Sequence, residues 1–592
     1  MDKILNGNYR EYSKSKRRFF YLALIIILGF LVYLNSLSNG FVWDDYGQVV
    51  DNLTLRDWRN LPSILTSSTF YNGGARAGLG GIFYRPIVSL AYFLIYNIFG
   101  LDSFYFHFIQ LTIHLLNLIL IFFILLYLFS LKDFKNSLEI AFLATLFFAV
   151  HPANVEAVAY IGSLGEVFYT FFGLFSIITL FLGLDWQRRI IKNKFLISSF
   201  FLAFLSLLSK ETGIVVFLVF FLFLSLIFKP KLNQYFKWFL GASVTVGTYL
   251  ILRLVFIKIP IVGLYYFAPI ARASLGNRIL TIPFELFRYL QIVFFPSHLH
   301  ISQHFVVSSV QDFRFWGALL VLLFVFLIIL FSIHKKKITK IQIFFLLWFF
   351  LCLAPVLNII PFDMTVAERW LYFPMIGAWA LICSILIIII KRIKKPQIRI
   401  GGYIILSILI IILGARTIIR NTNWKDNLTL FSRDIKYSKQ SFDLECNYSL
   451  VLREVGRYNE AEEHAKKAIE LQSQAGCGYE SLAAVYALRG EGDKAVEFFS
   501  KAVKVEGRYA TYINVGLMLV QLKRWQEAED FLKKAIPKFP KNPELKWLLS
   551  LVYRQNGQID KSRLLLEEAL KDDPRGEKLV PLFELLKEGK CR

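Results

Sequence analysis

Cysteine is scarce in this sequence, with five residues among 592. Two of them, Cys352 and Cys383, lie within apolar runs, and Cys446, Cys477 and Cys591 are widely spaced. No CxxC pair occurs, and no cysteine lies near a spaced pair of histidines. Disulfide frameworks and zinc sites are recognised from such spacings. The sequence therefore predicts neither, and we expect no metal site.

Charged residues are also few, at 19% of the chain, whereas hydrophobic residues make up 56%. The mean hydropathy of +0.52 and the many separate apolar runs exclude a soluble protein and a single membrane anchor. The net charge of +24 comes from Lys and Arg clusters between apolar runs, where membrane topology requires them. We therefore expect a polytopic membrane protein in contact with lipids, not a nucleic-acid-binding protein.

Eleven apolar segments are candidate membrane spans. They are 19–37, 104–130, 139–150, 163–184, 195–209, 212–228, 236–257, 314–333, 341–360, 370–390 and 400–418. The first follows a basic flank and lacks a small-residue cleavage site, so we expect an uncleaved helix with a cytoplasmic N-terminus. The apolar segment 84–100 is shorter and begins near Pro86, which indicates an interfacial helix.

The basic connections between spans all fall on the side of the basic N-terminus. They are KDFK, RRIIKNK, KPKLNQYFK, HKKKITK and KRIKKPQIR. By the positive-inside rule this side is cytoplasmic. The connections 38–103, 151–162, 209–213, 258–313 and 361–369 are then outside, together with the C-terminus.

A repeat follows Trp424, where the composition changes to mixed charge. Small residues recur at intervals of 33 or 34 residues in two series: Ala461, Ala495, Ala528, Ser562 and Ala468, Ala502, Ala535, Ala569. A third series, Gly456, Gly490, Gly557, has one interval of 34 and one of nearly twice that length. Pro540 and Pro574 are also 34 apart. This is the tetratricopeptide (TPR) period. The pattern predicts four TPR repeats and a capping helix near 577–590, forming a concave surface for peptides or partner proteins.

Ionisable residues concentrate near the outer ends of the spans. Asp44 and Asp45 follow the first span, and the others are Arg85, His107, His114, His151, Glu156, Lys210, Glu211, Arg253, Arg288, Glu368 and Arg369. Such groups are costly near a membrane unless they are paired or face water, which makes them candidate site residues. A carboxylate can deprotonate an acceptor hydroxyl while cations stabilise a departing phosphate. An apolar tail with its phosphate at the interface indicates a lipid-linked sugar as donor.

Structural interpretations of the same residues remain open at this point. Arg85 could contact lipid headgroups, and His151 could cap a span end. Lys210 and Glu211 could satisfy one another, and the pair Glu368 and Arg369 could anchor an outer loop. The acids Asp44 and Asp45 could belong to a solvated turn.

Several stretches together resemble a known family. They are FVWDDYGQVVDN, YRPIVSLAYFLIYNIFGLDSFYFHFIQLTIHLLN, HPANVEAVAYIGSLGE, SKETGI, LAPVLNIIP, AERWLYFPMIG and RNTNWKDNLTLF, followed by the terminal repeats. In this order they are similar to the transmembrane-and-TPR O-mannosyltransferases of the GT-C glycosyltransferase superfamily. The resemblance implies an all-α fold, with a GT-C membrane domain of about eleven helices over 1–425, whose first outer loop is 38–103, and an outward-facing TPR solenoid over 426–592.

The resemblance also implies a reaction and its site. A sugar, mannose in the family, passes by inversion from a polyprenyl phosphate to Ser or Thr hydroxyls of exported proteins held by the TPR groove. Asp44 is then the general base, and Asp45 orients the acceptor or a cation. The substrate-binding candidates are Arg85, His107, His151, Glu156, Lys210, Glu211, Arg253, Arg288, Glu368 and Arg369.

No cofactor is required by this scheme. Asp44 and Asp45 could hold Mg²⁺ or Mn²⁺ only if the donor phosphate supplied further ligands. A bias towards Ile, Phe, Lys and Asn indicates a low-GC prokaryote and hence a plasma or inner membrane. Two other functions fit the sequence: a GT-C transferase acting on an envelope glycan or lipid, and a non-enzymatic TPR scaffold or transporter.

Overall fold

The computed structural model describes residues 2–70, 83–131, 136–260, 268–335, 337–438, 440–540, 542–573 and 579–588, with side chains except those of 2–15, 581 and 585–588. The predicted KDFK connection, Pro574, Cys591 and part of the 258–313 connection lie outside these residues. The described chain divides into two compact units. The first ends at Leu430 and the second begins at Phe431.

The first unit is built from apolar helices. Its helices are α1 (Asp2–Tyr33), α2 (Leu61–Thr66), α3 (Pro86–Phe99), α4 (Ser103–Ser130), α5 (Ser137–Val150), α6 (Val155–Val158), α7 (Leu164–Leu182), α8 (Asn193–Ser209), α9 (Val215–Phe223), α10 (Leu232–Ile251), α11 (Pro269–Arg272), α12 (Leu275–Phe294), α13 (Phe313–His334), α14 (Lys340–Leu353), α15 (Pro374–Arg392) and α16 (Pro396–Asn421). The strands β1 (Leu184–Asp185) and β2 (Ile190–Ile191) pair antiparallel between α7 and α8. Helix α17 (Asn427–Asp434) crosses the division between the units.

Eight helical stretches in the described part of the chain are long and apolar enough to cross a membrane. They are Lys16–Ser38, Ser103–Ser130, Ile161–Leu182, Glu211–Phe228, Leu232–Phe256, Phe313–His334, Pro374–Arg392 and Pro396–Trp424. A ninth candidate joins Ser137–Val150 to Pro152–Val158 with a bend of 55°, at a proline that interrupts helical hydrogen bonding. With the shorter apolar helices α8 and Lys340–Val356, each of the eleven predicted spans coincides with an apolar helix, as expected for a multi-pass membrane protein.

Small and hydroxylated residues allow these apolar helices to pack closely. Helix α7 packs on α8 through two reciprocal bonds: Ser176 Oγ donates to the Ser199 carbonyl at 2.6 Å, and Ser199 Oγ donates to the Ser176 carbonyl at 3.0 Å. A Cβ at Gly377 of α15 would lie 2.7 Å from the carbonyl oxygen of Phe345 in α14. Small residues permit such close approach between helices in a membrane.

Hydrogen bonds near the ends of α1 and α16 fix the path of the chain towards the acidic pair. Asn421 Nδ2 donates to the Val32 carbonyl at 2.8 Å, and Asn39 Nδ2 donates to the Asn421 carbonyl at 3.0 Å. The N–H of Gly40 donates to the Lys425 carbonyl at 2.8 Å. The chain therefore leaves α1 along a defined path before it reaches Asp44.

The second unit consists of helix pairs. Its helices are α18 (Phe442–Glu454), α19 (Tyr458–Leu471), α20 (Gly476–Leu488), α21 (Gly492–Val505), α22 (Tyr509–Gln521), α23 (Trp525–Ala535), α24 (Pro543–Gln555), α25 (Ile559–Asp572) and α26 (Leu579–Glu588). The recurring alanines are buried where paired helices touch. The all-α class and the predicted TPR repeats are therefore confirmed, and α26 overlaps the predicted capping helix.

The turns inside the repeats explain the glycine series. Gly456, Gly490 and Gly557 have φ angles of 79°, 78° and 73°, in the left-handed region that glycine adopts without a steric penalty. In the third repeat Lys523 takes this position with φ of 56°. This substitution accounts for the double interval in the glycine series.

One expectation about cysteine is wrong. Cys446 of α18 and Cys477 of α20 form a disulfide, with their Cα atoms 5.9 Å apart and a sequence separation of 31. The stacking of repeats brings the first helices of successive pairs together. The resulting cysteine spacing is close to one repeat length, and short cysteine motifs do not include it. The second unit is therefore cross-linked.

Candidate functional site

The two acids of the predicted pair have different surroundings. Asp45 is fully buried. Its Oδ2 accepts from the backbone N–H of Val42 at 2.8 Å, and its Oδ1 accepts from the N–H of Gly162 at 2.6 Å. Asp44 is half-buried and precedes a π-helical turn, Tyr46–Val50. Asp45 thus joins its own loop to the turn before α7, and Asp44 is the more accessible acid.

An aromatic stack holds the backbone beside Asp44. The Trp43 ring lies 5.6 Å from the Tyr160 ring, and Tyr160 lies 5.1 Å from Trp424, with both pairs nearly parallel. Trp43 has a φ of 52°, and its N–H donates to Asn427 Oδ1 at 2.8 Å. Burial, followed by the charges of Asp44 and Asp45, raises the pKa of Tyr160. Tyr160 therefore lies within electrostatic reach of both acids.

Arg369 lies on the same aromatic residues. Its guanidinium carbon is 5.9 Å from the Trp43 ring centre, and the guanidinium forms an ion pair with Glu156. The Arg369 N–H also donates to Glu156 Oε2 at 3.0 Å. Burial opposes the charge, but Glu156 and Asp363 outweigh it and raise the pKa of Arg369. The structure therefore places Arg369 with Glu156, and not with its sequence neighbour Glu368.

Lys210 is paired with an acid that the sequence reasoning missed. The Lys210 ammonium contacts Glu166 of α7, and both side chains are almost fully buried. Burial lowers the pKa of Lys210 to about 8, Glu166 opposes this, and the positive charges of Arg85 and Arg369 lower it further. Lys210 therefore lies within electrostatic reach of both arginines. The only sequence signal for Glu166 was its place at the end of the SLGE stretch.

Glu211 joins two arginines. Its Oε2 accepts from Arg85 Nε at 3.1 Å, and its Oε1 accepts from Arg253 Nη1 at 3.2 Å. Arg253 lies in the π-helical turn Leu252–Phe256, and Arg85 directly precedes α3. Glu211 is thus bound to these arginines and not to the neighbouring Lys210, so the two residues do not form the self-satisfied pair considered from sequence.

Other predicted residues are held by structural contacts. His151 caps the turn after α5, accepting from the Ala153 N–H at 3.2 Å while its Nε2 contacts the Val293 carbonyl at 3.1 Å. Arg288 Nε donates to Gln303 at 3.1 Å, and Glu368 is 3.5 Å from Arg420. These contacts favour a structural role for each.

Two histidines of α4 are fully buried. His114 contacts the Tyr372 hydroxyl at 2.6 Å, and His107 lies beside the backbone of Asn39 and Gly40. His107 therefore supports the approach to the acidic pair, whereas His114 packs within the helix bundle.

The arrangement combines an accessible acid with several buried cations. The charges of Asp44 and Arg369 both act on Tyr160, and those of Arg85 and Arg369 both act on Lys210. Within the described residues, no group of three or more His, Cys, Asp or Glu side chains could hold a metal ion. An accessible acid with cations nearby suits proton removal by Asp44 beside an anion-binding region.

Comparison with known proteins bears on both units. Tetratricopeptide repeat models match residues 446–474 and 519–579. Protein O-mannosyl-transferase F38B6.6 of Caenorhabditis elegans is 25% identical over 464 residues, which are 76% of this chain and 62% of the relative. Protein O-mannosyl-transferase TMTC1 of Mus musculus is 31% identical over 207 residues, which are 33% of this chain and 21% of the relative. This chain is similar to the protein O-mannosyl-transferases.

The resemblance predicted from the motifs is thereby confirmed. The chain spans less than two thirds of the length of either relative. Among solved structures, the crystal structure of MamA aligns with 26% of this chain and 89% of that chain, at 19% identity and a TM-score of 0.24.

Proposed function

We propose that this chain is a membrane glycosyltransferase that transfers mannose from a polyprenyl-phosphate donor to Ser or Thr hydroxyls of exported proteins. The observation that carries the proposal is that Tyr160 and Arg369 both lie against Trp43, the residue before Asp44, with the Tyr160 ring 5.6 Å and the Arg369 guanidinium carbon 5.9 Å from the Trp43 ring centre. An acid and a cation near one buried residue provide the two functions that transfer from a phosphate needs. The names of the relatives supply mannose and the protein acceptor.

In the proposed reaction the Asp44 carboxylate removes the proton from the acceptor hydroxyl. The hydroxyl oxygen attacks the anomeric carbon of the sugar from the face opposite the phosphate, and the bond from that carbon to the phosphate oxygen breaks. The phosphate leaves with the electron pair, and Arg369 and Lys210 stabilise its charge. Attack from the opposite face inverts the anomeric configuration.

Asp45 has a positioning role in this scheme. Both its carboxylate oxygens accept backbone hydrogen bonds, at 2.8 and 2.6 Å. These bonds hold the loop that carries Asp44. These hydrogen bonds explain why an acid is present at position 45 without a bound cation. We therefore assign proton removal to Asp44 alone, with no metal required.

The proposal assigns separate tasks to the two parts of the chain. Residues 1–425 carry out transfer, and the TPR repeats of 426–592 engage the acceptor protein, since such arrays bind peptides and proteins. We place the reaction and the repeats on the outer side of a prokaryotic plasma or inner membrane. The Cys446–Cys477 disulfide supports this placement because disulfides persist in oxidising compartments.

The test is sugar transfer by the purified full chain in liposomes. Polyprenyl-phosphate mannose carrying a radiolabel is supplied in separate reactions with extracted envelope proteins, glycans or lipids, and the label in each acceptor is counted. Label in protein supports the proposal. Label only in extracted glycan or lipid would favour the alternative acceptor class, and no transfer to any acceptor would favour a scaffold.

A further inference from the structure

Glu211 bridges two guanidinium groups that come from distant parts of the chain. Each of its carboxylate oxygens accepts from a different arginine, Oε2 from Arg85 at 3.1 Å and Oε1 from Arg253 at 3.2 Å. The side chain of Arg253 is 3% exposed, whereas those of Arg85 and Glu211 are 16% and 27% exposed. The carboxylate is thus the most accessible member of the group.

The two arginines have supports of their own. Arg253 Nη2 donates to the Pro260 carbonyl at 2.8 Å, and Arg253 Nη1 donates to the Tyr249 hydroxyl at 3.0 Å. The guanidinium of Arg85 lies 4.4 Å from the centre of the Phe83 ring. These contacts would keep both guanidinium groups in place if Glu211 moved away.

A phosphate could take the place of this carboxylate. Guanidinium groups bind carboxylate and phosphate oxygens with the same planar fork. The donor phosphate is a diester with one negative charge and two free oxygens, one for each arginine. The polyprenyl phosphate released after transfer is a monoester, which carries more negative charge and a third free oxygen. Lys210, the residue before Glu211, also lies near Arg85, and its charge is balanced by Glu166.

We propose that Arg85 and Arg253 form the cradle that holds the phosphate of the lipid donor beside Lys210 and Arg369, and that Glu211 occupies this cradle until the donor displaces it. The inference rests on the proposed function for the identity of the donor. Glu211 then acts as an internal competitor: it neutralises charge on the two arginines before binding, and its return assists release of the lipid phosphate after transfer.

A competitor role and a purely structural role for Glu211 predict opposite changes in phosphate affinity when Glu211 is replaced. If Glu211 competes with phosphate, Glu211→Gln removes one negative charge from the cradle and binding becomes tighter. If Glu211 only anchors the arginines, its loss releases them and binding becomes weaker or stays unchanged. Removing one charge at contact distance in a partly buried site predicts a gain of about tenfold.

The experiment measures binding of farnesyl phosphate, a short polyprenyl phosphate without a sugar, to the full chain in detergent by calorimetry. Glu211→Gln is expected to lower the Kd about tenfold relative to wild type, and adding Arg85→Gln is expected to remove the gain. Glu139→Gln is the matched control, because Glu139 is also paired with a cation, Lys391, at 2.9 Å. An unchanged or higher Kd in Glu211→Gln overturns the proposal, as does a gain with inorganic phosphate but not with farnesyl phosphate.

A second variant covers the case in which Glu211→Gln fails to fold. Glu211→Asp keeps the charge but is one methylene shorter, so it cannot reach both arginines. We therefore expect farnesyl phosphate to bind about threefold more tightly. Weaker or unchanged binding overturns the proposal. Since no sugar is transferred, the binding result is independent of the transferase test. Tighter binding without any transfer would separate a correct phosphate site from a wrong proposed reaction.

Discussion

The carboxylate of Asp45 accepts a hydrogen bond from the backbone N–H of Gly162 at 2.6 Å, across 117 residues of sequence. This bond joins the loop after the first span to the turn that opens α7, the helix that also carries Glu166. The acidic pair and the partner of Lys210 are therefore connected through the turn before α7. The position of Asp44 depends on this connection.

Replacement of Asp45 by asparagine should destabilise the protein. An asparagine amide has one oxygen that accepts, so either Val42 or Gly162 would lose the acceptor for its N–H. An unsatisfied buried donor costs about 1–3 kcal/mol. We expect a lower Tm for Asp45→Asn than for wild type, measured by thermal unfolding in detergent.

Asp57→Asn is the control for this measurement. Asp57 is a half-buried acid of the same segment, 38–103, and it accepts from the Arg59 N–H at 2.9 Å. An asparagine side chain can accept the same bond. Its Tm should stay close to that of wild type. Equal Tm values for the two variants would show that the bonds to Asp45 do not hold the loop.

Glu166→Gln should be among the most destabilising single changes in the first unit. The substitution leaves the Lys210 ammonium buried without its anionic partner, and breaking a buried pair in this way costs about 3–5 kcal/mol. Glu139→Gln breaks a pair whose side chains are about one third exposed, where the cost is about 0–1 kcal/mol. Chemical unfolding of both variants measures the difference, and similar losses would contradict the burial of the Lys210 pair.

Glu285 should make the stability of the protein depend on pH. It lies in α12, outside the candidate spans, and accepts from Asn358 Nδ2 at 3.1 Å. Burial raises the pKa of the Glu285 carboxyl from 4.5 to about 8, and the bond from Asn358 opposes this shift. The folded protein therefore binds this proton more tightly than the unfolded chain.

The sign of the effect follows from that difference. The stabilisation from the neutral carboxyl is fully present below pH 4.5, decreases as the pH rises, and is lost above about pH 8. Glu285→Gln keeps a neutral acceptor for Asn358, so its Tm should exceed that of wild type at pH 9 and match it near pH 5. A difference in Tm that is constant over this range would contradict the prediction.

Loss of the disulfide should destabilise the TPR repeats. Cys446→Ser opens a cross-link between α18 and α20, and removal of a disulfide that closes a loop of this size costs about 2–4 kcal/mol. Limited proteolysis of the full chain should cleave the second unit faster in this variant. Cys383→Ser, at a free buried cysteine of α15, is the control. Alkylation of Cys446 in the native, unreduced protein would contradict the cross-link.

The sequence predicted features that depend on local pattern. The eleven apolar segments follow from composition, and the turn glycines such as Gly456 follow from a fixed period. The start of α3 at Pro86 was also predictable, because proline fits the first turn of a helix. Each of these features is determined by residues close together in the chain.

Features that depend on packing between distant segments were not predictable. The pairing of Lys210 with Glu166 requires α7 and α8 to pack side by side, and the pairing of Arg369 with Glu156 spans 213 residues. Sequence neighbours suggested other pairs, Lys210 with Glu211 and Glu368 with Arg369. The disulfide was missed for the same reason, since its spacing follows from the stacking of repeats.

The most direct test of the central claim compares wild type with Asp44→Asn in transfer of labelled mannose from polyprenyl-phosphate mannose to envelope proteins, with Asp57→Asn as the matched control. The amide cannot accept the proton of the hydroxyl, so we expect a loss of about 100-fold or more in rate, while Asp57→Asn keeps the rate of wild type. A normal rate in Asp44→Asn, with wild-type transfer established in the same assay, would contradict the assignment of Asp44 as the general base.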